Sequence, residues 1–214
     1  MRMFKTLALS SAIILAAGSS FADQVITYKL DPWHTQVRFT WHHLGFSTPG
    51  ADFTDVTGTV QGDQEHPELS SVNVVIPVKS LDTYVPALNE HLLASGEFFK
   101  TQQYPNITFK STGMSHIDEK ARTFDLQGVL TVNGISKDVV LHAHANKVGP
   151  HPFYHDAPAA GFDASTTLKR SDFGMTEYVP MVSDELDVHI TVEAIEAQAF
   201  DRKMAEMAAA AKKK

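Results

Sequence analysis

Apolar and polar residues alternate along most of this chain, and that alternation limits the fold more than any other feature. The alternating segments are 26–30, 36–41, 72–78, 107–109, 124–132, 139–144 and 186–192. In a β-strand successive side chains point to opposite faces, and the β-branched and aromatic residues of these segments favour strands. The pattern predicts half-buried antiparallel strands, and strands without intervening helices point to a sandwich or a barrel.

Turn residues punctuate the strands. Asn133-Gly134 predicts a hairpin, because both residues tolerate a positive φ. Gly128 lies inside an alternating segment and marks a candidate bulge. The segment 149–152 contains two prolines and Pro158 follows shortly, so a loop is expected there in place of a paired strand.

One helix and a polar tail interrupt this pattern. A helix is predicted over Pro86–Ala94, since Asp82 and Thr83 are able to cap it and proline suits a first turn. Residues 198–214 are rich in Ala and Lys, which predicts a solvated helical or frayed extension, with a partner-binding helix as the alternative. The barrel or sandwich domain is accordingly placed at residues 23–197.

The N-terminus has the features of a secretory signal peptide. Arg2 and Lys5 are followed by a mostly apolar stretch, 6–17, that is too short to span a bilayer. Ser20 and Ala22 place small residues around a cleavage point after Ala22. We therefore expect residues 1–22 to be a signal, with no integral membrane segment after its removal.

Composition excludes several functions. The chain has no Cys, which rules out a cysteine nucleophile, a thiolate metal site, an iron–sulfur cluster and a lipid anchor on cysteine. The formal net charge is −7, without basic runs in the body of the chain. An acidic chain of this kind is a poor nucleic-acid binder, so we expect no nucleic-acid partner.

The eleven His residues raise the question of a metal site. His142 and His144 share a strand face at a spacing of two, and His151 or His155 is close enough in sequence to offer a third ligand. No tight spacing signature such as His-Glu-x-x-His is present. The prediction is therefore that the protein has no metal and no other cofactor.

Catalytic motifs are equally weak. Asp31 and His34, in the sequence Asp-Pro-Trp-His, are the candidates for a small hydrolase. A nucleophile turn of the Gly-x-Ser-x-Gly type, a phosphate loop and a dinucleotide fingerprint are all missing from the sequence. We therefore expect a protein that is not an enzyme, with a hydrolase as the alternative and an interaction module in a stress response as a further one.

Aromatic residues are more numerous than a core strictly requires, and an apolar tunnel would use such a lining. Closing an alternating sheet into a barrel removes its edges and turns one face inward. A barrel of about eight strands can be filled by side chains or can hold one slender ligand. Composition alone does not distinguish these two interiors.

The ordered motifs of the chain resemble the YceI family of bacterial periplasmic polyisoprenoid-binding proteins. The resemblance runs from Tyr28 to about Glu196. The motifs that carry it are Tyr28-Lys29-Leu30-Asp31-Pro32-Trp33-His34-Thr35, His43-Leu44-Gly45-Phe46-Ser47, Ser80-Leu81-Asp82-Thr83, His91-Leu92, Glu97-Phe98-Phe99, Tyr104-Pro105, Gly128-Val129-Leu130-Thr131-Val132-Asn133-Gly134 and Arg170-Ser171-Asp172-Phe173-Gly174.

The resemblance implies an all-β, lipocalin-like antiparallel barrel of about eight strands with one helix packed against it. It also implies a periplasmic binding or carrier protein that holds a polyisoprenoid or another long-chain amphipathic lipid. The head group of that lipid would contact His34 and Arg170. The apolar cavity candidates are Val37, Phe39, Trp41, Phe53, Leu92, Phe98, Phe99, Phe109 and Phe173. The oligomeric state stays open, a homodimer included.

Overall fold

The computed structural model describes residues 25–63 and 65–212, so the predicted signal peptide, residues 1–22, lies outside the described residues. The strands are β1 Val25–Leu30, β2 Gln36–Thr40, β3 Gly50–Phe53, β4 Thr57–Asp63, β5 Ser71–Pro77, β6 Leu81–Asp82, β7 Asn106–Asp118, β8 Thr123–Val132, β9 Ile135–His151, β10 Ala157–Lys169 and β11 Glu185–Glu196. The helices are α1 Pro86–Ala94 and α2 Ala197–Ala211, with 3₁₀ turns at Pro67–Leu69, Val78–Ser80, Pro152–Tyr154 and Arg170–Phe173.

Within the described ranges, eight antiparallel strands close into a barrel in the order β1-β4-β5-β7-β8-β9-β10-β11. The circle is completed where Leu30 of β1 pairs with Ala194 of β11. The other half of β11, from Asp187 to Thr191, pairs with β2, which continues the sheet into β3 and β6. The predicted fold class, an antiparallel barrel of about eight strands, is confirmed.

The hairpin between β8 and β9 forms at Asn133-Gly134, as predicted. Both residues have a positive φ, of 52° and 75°, and the pairing is kept up to Val132 and Ile135 on either side. This is the backbone shape of a two-residue turn that matches the twist of its strands. A Cβ on Gly134 would also meet the Tyr104 ring at 2.4 Å, so glycine is required there by packing as well.

The absence of a side chain at Gly128 leaves room for the Phe109 ring inside the barrel. The register slips between Ser111 and Gly113 of β7, so the bulge lies on the strand that pairs with Gly128. A Cβ on Gly128 would lie 2.3 Å from Cζ of Phe109, which shows that the Phe109 ring occupies the space left by the missing side chain.

The loop predicted at 149–152 is wrong for three of its four residues. Strand β9 runs on to His151, strand β10 starts at Ala157, and Pro150 and Pro158 face each other across the ladder. An antiparallel ladder alternates between pairs that exchange hydrogen bonds and pairs that do not. Prolines that occupy a pair of the second kind interrupt no hydrogen bond, which explains how the strands continue.

Helix α1 has the predicted bounds but not the predicted cap. Val85 precedes the helix and caps it with no side-chain hydrogen bond. Asn89 of the helix instead accepts hydrogen bonds from the backbone N–H and the hydroxyl of Thr83, at 2.7 and 2.6 Å. The side chains of Leu92 and Leu93 pack against the main core, which places α1 against the barrel.

Helix α2 continues directly from β11 and covers part of the outer wall. Ile195 points outward from β11 but is fully buried, because it packs with Ala199 of the helix and with Tyr154. Lys29 of β1 donates to Asp201 at 2.6 Å. The tail is therefore helical, and its first turns pack on the outer wall of the barrel. Among the described residues, no helix is both long and apolar enough to cross a membrane.

Candidate ligand-binding site

The predicted aromatic residues of β2 and β3 do meet inside the barrel. Phe39 lies with its ring centroid 5.8 Å from Trp41 and 5.8 Å from Phe53, and Phe53 lies 6.2 Å from Phe99. Strand alternation and the register between Phe39 and Ala51 place these side chains on the inner face. The result is a continuous aromatic surface between two strands and the segment after α1.

The remaining apolar candidates are divided between this surface and its surroundings. Val37 lies on the inner face of β2 and, like Leu92 and Phe98, is partly buried against the same core. Phe173 is 3 % exposed within the core, and its carbonyl accepts a hydrogen bond from the Asn133 side chain at 3.3 Å. Phe173 is therefore part of the closely packed frame.

The inner face of β8–β11 supplies wall residues that the sequence analysis did not include. Phe124, Leu141, Phe162 and Ile190 all point inward and all keep part of their surface accessible. The rings of Phe124 and Phe162 meet edge to face with centroids 6.2 Å apart. Phe162 and Ile190 have paired neighbours on both sides, so their accessible surface faces the barrel interior. Leu141 lies just beyond the last pair of β9 with β10, and Phe124 lies opposite an irregular stretch of β7. The period of two identified most of these residues, whereas Phe162 lies on a strand that was not predicted.

The barrel wall opens between β9 and β10. Their pairing ends at His142 and Ser165, and beyond that point each strand pairs only with its other neighbour. A cavity of about 1050 Å³ occupies this β9–β10 gap, and the partly exposed Val139 and Leu168 contribute apolar surface to it. The gap thus exposes apolar side chains to solvent where β9 begins and β10 ends, at the barrel end that carries the β8–β9 hairpin.

Arg170, a predicted head-group ligand, is committed to the backbone. Its side chain is buried, at 4 % exposure, and donates to the carbonyls of Met175, Ser183 and Val182 at 2.8, 2.9 and 3.1 Å. Burial lowers the pKa of Arg170, and the nearby carboxylate of Asp184 opposes that shift. Arg170 therefore holds the loop before β11 in place.

His34, the other predicted head-group ligand, lies on the outer side of the barrel. Its Nδ1 is 2.8 Å from Oδ2 of the buried Asp31 and 3.8 Å from Oε2 of Glu193 on the outer face of β11. The hydrogen bond to Asp31 raises the pKa of His34, although burial acts in the opposite direction. The second oxygen of Asp31 accepts from the backbone N–H of Trp33 at 3.0 Å, so the carboxylate also organises the turn after β1.

The structure separates His151 and His155 from His142 and His144, with which the sequence analysis grouped them. His151 lies 3.6 Å from Glu193, and His155 lies beyond it in the connection to β10. His142 instead shares a carboxylate with His116: the two Nδ1 atoms are 2.7 and 2.9 Å from the oxygens of Asp125. These two hydrogen bonds, that of His142 foremost, hold the pKa of Asp125 below its usual range.

Comparison with known proteins agrees with this architecture. The YceI-like domain family matches residues 28–194. Protein YceI of Escherichia coli O17:K52:H18 is 34 % identical over 188 residues, which are 87 % of this chain and 94 % of that protein.

Two solved structures have similar folds. The YCEI protein of Campylobacter jejuni superposes with a TM-score of 0.65 at 25 % identity and covers 88 % of this chain and 99 % of its own. A polyisoprenoid binding domain from Saccharophagus degradans, implicated in plant cell wall breakdown, has a TM-score of 0.58 at 13 % identity over 81 % of this chain and 99 % of its own. At that low identity, the second likeness shows the fold alone.

Proposed function

Because the chain belongs to the YceI-like domain family, we propose that it is a periplasmic carrier that holds a polyisoprenoid or another long-chain amphipathic lipid inside the barrel. The observation that carries the proposal is the accessible apolar inner wall. Phe124, Leu141, Phe162 and Ile190 point inward and yet remain partly exposed, and for Phe162 and Ile190 the strands are paired on both sides. A barrel filled by its own side chains would bury them.

An apolar chain in this lumen would be bound strongly. Each methylene removed from water contributes up to about 0.8 kcal/mol, so a long prenyl or acyl chain gains several kcal/mol from the wall alone. The β9–β10 gap offers such a chain a route between solvent and lumen. The Saccharophagus degradans domain, which carries the same fold, is named for polyisoprenoid binding, and this supports the same ligand class here.

Export to the periplasm is the second half of the proposal. It rests on the predicted signal at residues 1–22 and on the family. A lipid of this kind is nearly insoluble, so its passage through an aqueous compartment requires a protein that shields it. The carrier role assigns no catalytic residue and no cofactor.

Native mass spectrometry of the protein purified from the periplasm tests the proposal. We expect a co-purifying lipid, or uptake of an added isoprenoid or fatty amphiphile. Ala164 points into the lumen between Ala143 and Ile190, so Ala164→Trp would place an indole where the chain lies. An aromatic ring that takes over about 150 Å² of wall, at about 25 cal/mol per Å², removes about 4 kcal/mol and weakens binding several hundred-fold.

Thr191→Trp is the matched control, because Thr191 lies beside Ile190 and points outward. It should bind lipid as the wild type does. Absence of lipid from the purified protein together with no uptake of either amphiphile would refute the carrier role. The alternative hydrolase would lose its turnover in His34→Ala, whereas that variant should keep its lipid.

A further inference from the structure

The outer wall of the barrel carries a histidine-lined groove that the lipid-binding proposal does not use. The groove has a volume of about 540 Å³ and spans β7 to β11. Its lining includes His142 and His144 from β9, Asp163 from β10 and His189 from β11. These residues point away from the lumen because they alternate with the inward residues of the same strands. The outer groove adjoins the β9–β10 gap, with which it shares His142, Ser165 and His189, but the side chains of its histidines project from the outer face.

The strand register brings the groove residues together over β10. Ser165 pairs with His142 on one side and with His189 on the other, so the two histidines face each other across a small side chain. Neighbouring strands are about 4.8 Å apart, which puts the Cα atoms of these histidines about 10 Å apart. His144 pairs with Asp163, and this pair lies two residues along each strand from the pair of His142 with Ser165. Imidazoles on β9 and β11 can thus converge on a point above Ser165 and Asp163.

The ring orientation of two of these histidines leaves the same nitrogen free. Nδ1 of His142 is bound to Asp125 at 2.7 Å, and Nδ1 of His144 is bound to Oδ1 of Asn146 at 2.9 Å. Within the described ranges no hydrogen bond engages Nε2 of either ring. A histidine whose other nitrogen donates to a carboxylate or a carbonyl oxygen is the arrangement that metal sites use to fix the tautomer and raise the basicity of the ligand.

The carboxylate of the groove is held in the same way. Asn146 donates its amide N–H to Oδ2 of Asp163 at 2.9 Å, so one asparagine side chain links His144 to Asp163. The groove thus offers four ligands with nitrogen and oxygen donors. Two are imidazoles on β9, one is an imidazole on β11, and the fourth is a carboxylate on β10, between them. That set suits Zn²⁺ or Cu²⁺ in a four-coordinate site.

We propose that His142, His144, His189 and Asp163 bind a divalent transition-metal ion on the outer wall of the barrel. Asp125 and Asn146 act as positioning residues that orient the two β9 histidines. Among the described residues, the ligand atoms of this set do not already lie within 4.8 Å of one another. The exposed side chain of His189 therefore turns toward the two held histidines to close the site around the ion.

A second group of ligand atoms on the barrel provides the competing location. One ligand atom from each of Asp31, His34 and Glu193 lies within 4.8 Å of the others. Both oxygens of Asp31 are already hydrogen-bonded there, to Trp33 and His34. The experiment must therefore separate the two locations.

Calorimetric titration of the tag-free, full-length exported protein with Zn²⁺ tests the outer groove. We expect one ion per chain for the wild type. His189→Ala should weaken binding at least tenfold, and Asp125→Asn, which alters a positioning residue, should weaken it about 10- to 100-fold. His34→Ala should bind as the wild type does. Thermal unfolding of each variant confirms that the surface substitutions leave the fold intact.

Substitution with Co²⁺ supplies an independent readout, because its visible absorption distinguishes four-coordinate from six-coordinate sites. An intense four-coordinate spectrum that disappears in His189→Ala supports the assignment. Absence of stoichiometric Zn²⁺ binding, or binding lost in His34→Ala and kept in His189→Ala, would overturn it. The lipid content of Asp125→Asn and His34→Ala should be unchanged, because neither residue lines the β9–β10 gap. Failure of the metal site would therefore leave the carrier proposal standing.

Discussion

Arg170 should be a determinant of stability, and replacing it by Gln is a direct test of the way the loop before β11 is held. The guanidinium is buried and its Nε, Nη1 and Nη2 atoms each donate to a different backbone carbonyl. The carbonyls belong to Met175, Val182 and Ser183, on the chain between the 3₁₀ turn Arg170–Phe173 and β11. A single side chain thus satisfies three acceptors that no regular ladder serves.

The magnitude follows from the loss of these acceptors' partners. A hydrogen bond from a charged group contributes about 1.5–3 kcal/mol, and a buried carbonyl without a donor costs about 1–3 kcal/mol. Glutamine can donate to at most part of this set, because it is shorter and has two N–H groups. We expect Arg170→Gln to lower the free energy of unfolding by about 3–5 kcal/mol and the Tm by about 10 °C.

Urea and thermal unfolding followed by circular dichroism give the measurement. Arg202→Gln is the matched control, since Arg202 is exposed on α2 and the same change there should shift stability by less than about 0.5 kcal/mol. Equal stability of the two variants would refute the structural role. Unchanged stability combined with lost lipid binding in Arg170→Gln would instead restore Arg170 as a head-group ligand.

Three further substitutions test other parts of the structure. Gly128→Ala places a methyl group against the Phe109 ring and should cost about 1–3 kcal/mol in urea unfolding; an unchanged midpoint would show that the ring is not fixed there. Asn133→Ala removes three side-chain hydrogen bonds and leaves alanine at a positive φ. We therefore expect the free energy of unfolding to fall by about 3 kcal/mol in thermal unfolding. A fall of less than about 1 kcal/mol would show that these hydrogen bonds do not hold the turn. His34→Gln tests the pKa of His34, which Asp31 raises above its value in the unfolded chain. The stabilisation by this pair is full below the unfolded-state pKa and is lost as the pH rises through the folded-state pKa. Wild type and variant should therefore differ more in unfolding free energy at pH 5.5 than at pH 8.5, and the reverse order would refute the pairing.

Much of the fold could be predicted because its signals are local. Alternation identified β1, β2, β5, β8, β11 and parts of β7 and β9, but not β3, β4, β6 or β10. Asn133-Gly134 identified the hairpin, and the helix over Pro86–Ala94 was confirmed with its bounds. The loop wrongly expected at 149–152 has a local cause. Proline is a local signal against pairing, but its effect depends on whether the position needs a hydrogen bond, and only the register answers that.

The candidate site was less accessible to prediction, for the same physical reason. Sequence alternation determined that half of each strand faces inward, and the aromatic residues near Phe39 and Phe53 were chosen on that basis. Only the tertiary structure shows that Arg170 donates all its hydrogen bonds to backbone carbonyls. It also shows that His142 and His189 lie on either side of Ser165. Spacing along a chain defines which residues share a face of one strand. Which residues meet across several strands depends on closure and register, which are properties of the whole barrel.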